Sequence, residues 1–129
     1  MNIRLIISWK LRLVAAFILL QTLFFKFSAA EESVFIFSSL GVEPWGRIGS
    51  GIVELIAGLA LLWNRSVWFG ALLAAGTMAG AIASHLFILG ISILGDGGQL
   101  FAYACITFIA AGFLLIEQFP QTLKSYFRS

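Results

Sequence analysis

One cysteine, Cys105, and one histidine, His85, are all that a chain of 129 residues offers to soft metals and thiol chemistry. A lone thiol excludes an intrachain disulfide and any Cys-x-x-Cys pair. The two side chains together are too few for a typical zinc or haem site built by this chain alone. Charge is scarce as well: 11% of residues carry it, against about a quarter in a soluble domain. The net charge of +2 is too small to mark a nucleic-acid binder. Apolar side chains fill the space, with 60% hydrophobic residues and a mean hydropathy of +1.01. Such a composition predicts an integral membrane protein in contact with the lipid bilayer. The length allows a single domain, residues 1–129, of about four spans.

The chain begins with a basic lead-in, Arg4, Lys10 and Arg12 around Trp9. The first apolar run covers 11–30, broken by Gln21 and Lys26. It imitates a secretory signal, with Ser28 and Ala30 placed for cleavage before Glu31. Lys26, between the apolar centre and that cut, favours a retained helix. The next connection, EESVFIFSSLGVEPWG, has an apolar centre too short to span, which predicts a short interfacial or re-entrant helix ended by Gly41 and Pro44. Further spans are expected over 47–64, 67–92 and 99–119, the last stopped by Pro120. The fold class is therefore all-α, a transmembrane four-helix bundle.

Basic residues at the span ends set the orientation. With both termini cytoplasmic, the inner flanks hold Arg4, Lys10, Arg12, Arg65, Lys124 and Arg128. The outer connections hold Glu31, Glu32, Glu43 and Asp96, with Arg47 as the one basic residue besides Lys26. Trp9, Trp63, Trp68 and Tyr126 fall at the inner interface, Trp45 and Tyr103 towards the outer one.

Glu54 sits well inside the second run, RIGSGIVELIAGLALLWN. A carboxylate at such a depth costs a few kcal/mol and calls for a partner. At 1.5 Å per residue, Lys26 lies about 6 Å below the outer end of its span, and Glu54 and His85 lie about 10 Å below the ends of theirs. Three ionisable groups on three helices thus share one level. Glu54 shares its helical stripe with Arg47, Ser50, Gly51 and Gly58, so it is expected to face the bundle. Gly76 and Gly80 form a GxxxG step expected to pack on a neighbouring helix. Each feature also has a plainer reading. Lys26 can snorkel to the interface, His85 can be a hydrogen-bonded packing residue, and Glu54 can belong to a purely structural ion pair. Glu117 is expected to reach cytoplasmic water.

The order of these features resembles the DoxX family of small four-helix membrane proteins. The likeness runs from about Arg12 to Ile116: a first span ending FFKF, the loop LGVEPWGRIG, then GIVELIAGLALLW, then GTMAGAIASHLFILG and a last span. Gly51, Glu54 and Gly58 carry its most characteristic part, and AGAIASHLF with His85 matches the DoxX-like branch. The resemblance implies a role beside redox enzymes, since the family is named for a subunit of a thiosulfate:quinone oxidoreductase. By position it carries over Lys26, Glu54 and His85 as a candidate polar or ligand-binding cluster.

The leading expectation is a non-catalytic or accessory subunit of the bacterial inner membrane that supports a redox or quinone-linked process. A quinone is a compatible ligand, whereas the chain alone builds no cofactor or metal site. A redox enzyme and a second copy of the chain are the candidate protein partners, and nucleic acid is not. A small oligomeric transporter or permeability factor, or a pure scaffold, are the alternatives.

Overall fold

A computed structural model describes residues 3–128, with side chains through Glu117. The side chains of Lys124, Tyr126 and Arg128, assigned above to the inner face, lie outside the described residues. The chain is helical nearly throughout: α1 (Ile3–Phe27), α2 (Glu31–Ser39), α3 (Trp45–Leu61), α4 (Val67–Ser84) continued by a π turn (His85–Leu89), and α5 (Gln99–Arg128).

Helix α1 starts earlier than the predicted span because nothing in Ile3–Lys10 breaks a helix. It ends where Ala29 takes φ +57°, and α2 then leaves at 87° to it. Helix α3 ends at Leu61, three residues short of the predicted boundary, in the turn that leads to α4. The third apolar run closes with a π turn, in which the Gly90 N–H donates to the His85 carbonyl at 2.7 Å, and Gly90 departs at φ +83°. Pro120 does not stop α5, which runs on to Arg128. A proline removes its own N–H from the ladder, here the bond to the Ile116 carbonyl, and the helix resumes beyond it.

Among the described residues, two helices are long and apolar enough to cross a membrane alone, Val67–Leu89 and Gln99–Glu117, with mean hydropathies of 1.8 and 2.1. The bent pair α1 and α2 qualifies as a third when taken together. Helix α3 has 17 residues, including Arg47 and Glu54, which puts it at the lower limit of a span.

Helix α4 packs along α5, α1 along α3, α3 along α4, and α1 along α5. Each long helix therefore has two neighbours, and α2 lies across one end of the group. The centre is built from small residues: Ala15, Ala16, Ala57, Ala71, Ala74 and Ala111, with Leu19, Leu61 and Leu114 between them. In lipid, apolar burial drives helices together only weakly, so close contact through small side chains takes over.

The glycines divide along this principle. A Cβ on Gly51 would meet the Phe27 ring at 2.9 Å, and one on Gly58 would meet Leu20 at 2.8 Å, both on α1. A Cβ on Gly70 would lie 2.8 Å from the Leu61 nitrogen and 2.9 Å from the Ala57 oxygen. There α3 and α4 touch backbone to backbone. Gly76 and Gly80, the predicted packing step, have open space beside them and are exposed. The GxxxG spacing permits close approach, but among the described residues nothing lies within 4 Å of a Cβ at either position. Gly70→Ala is therefore expected to lower stability in detergent by about 1–3 kcal/mol through overpacking. Gly76→Ala and Gly80→Ala should be neutral or gain up to about 1 kcal/mol from helix propensity. Melting curves of the three single variants check this, and equal losses at all three would place a helix against Gly76 and Gly80.

The turn before α5 is organised by Asp96. Its carboxylate accepts from the backbone N–H groups of Ile93 (2.9 Å), Gly98 (2.8 Å) and Leu100 (3.2 Å). Burial alone would push this carboxyl up, but the converging backbone N–H groups outweigh it and hold the group below the usual carboxylate range. Asp96 thereby satisfies a free N–H in the first turn of α5 while remaining ionised.

Candidate functional site

Helix α2 is the lid of the site. It roofs a cavity of about 420 Å³ lined by α1, α2, α3, α4, the π turn and α5. Most of the wall is apolar, including Ile18, Leu19, Phe25, Ile36 and Met78. Glu54, Lys26, Thr22, Ser50 and His85 interrupt it with polar groups.

Lys26 and Glu54 are joined. The Lys26 ammonium lies 2.5 Å from Glu54 Oε1, with side-chain exposures of 15% and 4%. Facing stripes of α1 and α3 bring them together: Gly51 and Gly58 flank Glu54 and let α1 come close enough for a lysine to reach it. The Lys26 Nζ also donates to Ser50 Oγ at 3.3 Å and lies 5.5 Å from the centre of the Phe37 ring on α2. The Thr22 hydroxyl sits 2.8 Å from the Leu19 carbonyl and 3.3 Å from Glu54 Oε2, and its single proton serves one of them at a time. Glu54 is thus paired at one oxygen and lightly held at the other. Outside this pair, Arg47 donates from Nε to both oxygens of Glu43 (2.9 and 3.1 Å) and from Nη1 to the Lys26 carbonyl. It ties the end of α1 to the start of α3 and fixes the backbone from which Lys26 extends.

His85 borders the same cavity, yet no hydrogen bond among the described residues joins it to Lys26 or Glu54. Its Nδ1 lies 2.8 Å from the Ala81 carbonyl, and its ring packs at a tilt against Phe101, 5.6 Å between centres. A carbonyl oxygen can only accept, so Nδ1 carries the proton and Nε2 of the neutral ring is a lone-pair acceptor. That atom is buried and has no hydrogen-bond partner among the described residues. Gln99 and Tyr103, which hydrogen-bond to each other at 2.9 Å, complete the polar lining from α5.

A second polar centre lies at the opposite end of the molecule. Arg12 is 2% exposed, not the interfacial residue its place in a basic lead-in suggests. It donates from Nε to the Leu61 carbonyl at 2.6 Å and from Nη1 to Asn64 Oδ1 at 3.0 Å. Its guanidinium also stacks 3.6 Å from the centre of the Trp9 ring. The residue closes the C-terminal end of α3, where free carbonyls favour a cation. The three-residue step from Trp9 to Arg12 was the signal for the stacking. Glu117, expected in water, has its Oε2 buried without a partner among the described residues, because it continues the inward stripe of Thr107, Ala110 and Leu114 on α5.

No group of three His, Cys, Asp or Glu side chains suited to a metal occurs among the described residues. The arrangement suits hydrogen bonding to a small polar head in an otherwise apolar chamber.

No curated protein and no solved structure matches the chain. The DoxX family model does match, over residues 8–91, from α1 through the π turn, a stretch that contains Lys26, Glu54 and His85. With about two thirds of its length covered by that model and its apolar helices, this chain is an integral membrane protein and belongs to the DoxX family.

Proposed function

We propose that the protein is an accessory membrane subunit that holds the polar head of a lipid-soluble molecule, of the quinone type, for a redox process carried out by a partner enzyme. One observation carries the reading: a buried Lys26–Glu54 pair and a buried, unpartnered His85 Nε2 border one largely apolar cavity. A chamber of about 420 Å³ is in the range of small-molecule sites. Lys26 has a donor to spare for a carbonyl, and His85 Nε2 has a lone pair for a hydroxyl, so the two forms of a quinone–quinol couple both find partners. Glu54 and Ser50 hold the Lys26 ammonium in place.

In this reading α1, α3, α4 and α5 form a transmembrane four-helix bundle in a bacterial inner membrane, with both termini cytoplasmic. Arg4, Lys10, Arg12 and Arg65 then flank the inner end, and Glu31, Glu32, Glu43 and Asp96 the outer. The cavity lies in the outer leaflet beneath α2.

The test is purification in mild detergent, followed by solvent extraction, mass spectrometry of bound small molecules and identification of copurifying proteins. A stoichiometric quinone, absent from Glu54→Gln, is the expected result. An enzyme partner without any such molecule would favour a scaffold, and neither would favour transport.

A further inference from the structure

A cavity roofed by α2 and walled by four long helices needs an entrance, and the two stripes that bring α3 and α4 together indicate where it lies. At the end remote from α2, Ala57 and Gly70 meet backbone to backbone. The helices run antiparallel through a tight turn, so one heptad from each contact residue, toward α2, brings Ser50 on α3 opposite Thr77 on α4. Both are only partly buried, and both line the cavity. Another heptad along the α4 stripe gives Ser84, also at the cavity wall. Gly80, beside that stripe, borders the cavity, is exposed, and has nothing within 4 Å of where a Cβ would stand. The cavity therefore reaches the surface at Gly80, beside the face that α4 turns to α3.

We infer that this seam is a lateral portal through which the ligand enters from the lipid of the leaflet beneath α2. Gly80 and the small hydroxyl residues Ser50, Thr77 and Ser84 form its edges. The consequence is a restriction on ligand class. Near the seam Ile52 is exposed and apolar, so molecules arriving there are dissolved in the membrane. The site selects an amphiphile with a head small enough to pass a glycine-bounded gap, and excludes water-soluble ions and sugar phosphates. Lys26, Glu54 and the unpartnered Nε2 of His85 stand inside the gap to receive that head. The open face at Gly76 and Gly80 also gains a reason, since a larger side chain at Gly80 would narrow the passage.

This inference rests on the proposed ligand-binding role of the cavity, and the experiment separates the two. Tritiated decylubiquinone is the probe, and its uptake by the full chain in lipid nanodiscs is followed against empty nanodiscs. Gly80→Phe is expected to slow the initial rate at least tenfold. A reversible closure guards against misfolding of that variant. In a Cys105→Ser background, Val53→Cys with Gly80→Cys is bridged by a bifunctional maleimide whose linker contains a reducible disulfide. Bridging should block uptake, and reduction should restore it. Uptake at the wild-type rate by the bridged protein, or by a folded Gly80→Phe protein, overturns the portal and leaves the cavity reading intact. Absence of uptake by the wild-type protein overturns the cavity reading, and the portal with it.

Discussion

Glu54→Gln is expected to lower folding stability by about 3–5 kcal/mol, the cost of leaving a buried cation without its counter-charge. After the change Lys26 retains the Ser50 hydroxyl and the face of Phe37. Neither offsets a full charge held at 15% side-chain exposure. Combining Glu54→Gln with Lys26→Met should recover much of the loss, because the neutral pair leaves no stranded ion. The same cycle built with His85→Leu should be close to additive, since no bond joins His85 to Glu54. Folded yield and unfolding in mixed micelles provide the readout. Additivity in the Lys26 cycle would mean that the ion pair carries no coupling and that Glu54 is held by other means.

The second large effect belongs to the opposite end. Arg12→Ala removes the donor to the Leu61 carbonyl, the bond to Asn64 and the stack on Trp9 in one step, and leaves a cavity where a long side chain stood. A loss of about 2–4 kcal/mol follows from a buried charge-assisted hydrogen bond together with the lost packing. Arg12→Lys should fail to restore it, because an ammonium cannot serve the carbonyl and the amide as a planar fork while lying flat on an indole. Lys10→Ala, two residues away and exposed, should stay within about 0.5 kcal/mol of wild type. Full rescue by lysine would show that only the charge at this end matters.

The contrast between these two arginine and lysine positions shows what a sequence of this kind discloses. An ionisable residue deep in an apolar run is conspicuous, and counting at a fixed rise per residue puts Lys26, Glu54 and His85 at one level. Which cation sits on Glu54 depends on side-chain reach and helix rotation, and only the structure sets Lys26 at 2.5 Å with His85 turned to its own helix. Arg12 was illegible for a different reason. A basic residue in a helix lead-in reads the same whether it reaches out to headgroups or folds back onto a neighbouring helix end.

Glycine spacing misled in a related way. A GxxxG step shows where a helix could approach, but Gly70, outside that step, takes the contact because the short 62–66 turn forces α3 and α4 together there. The helical content itself was plain from apolar run length. Boundaries shifted by three to eight residues at Ile3, where nothing breaks the helix, at Leu61, where the turn to α4 begins, and at Leu89, where a π turn closes the run.

The central claim is that the chamber beneath α2 binds a lipid-soluble head through Lys26 and Glu54. Equilibrium titration of decylubiquinone into nanodiscs holding wild type or the combined Glu54→Gln, Lys26→Met variant tests it most directly, because the double variant is expected to fold. Saturable binding by wild type, weakened at least tenfold in the double variant, is the predicted result. Equal affinity in a folded double variant, or no saturable binding by wild type, would contradict it.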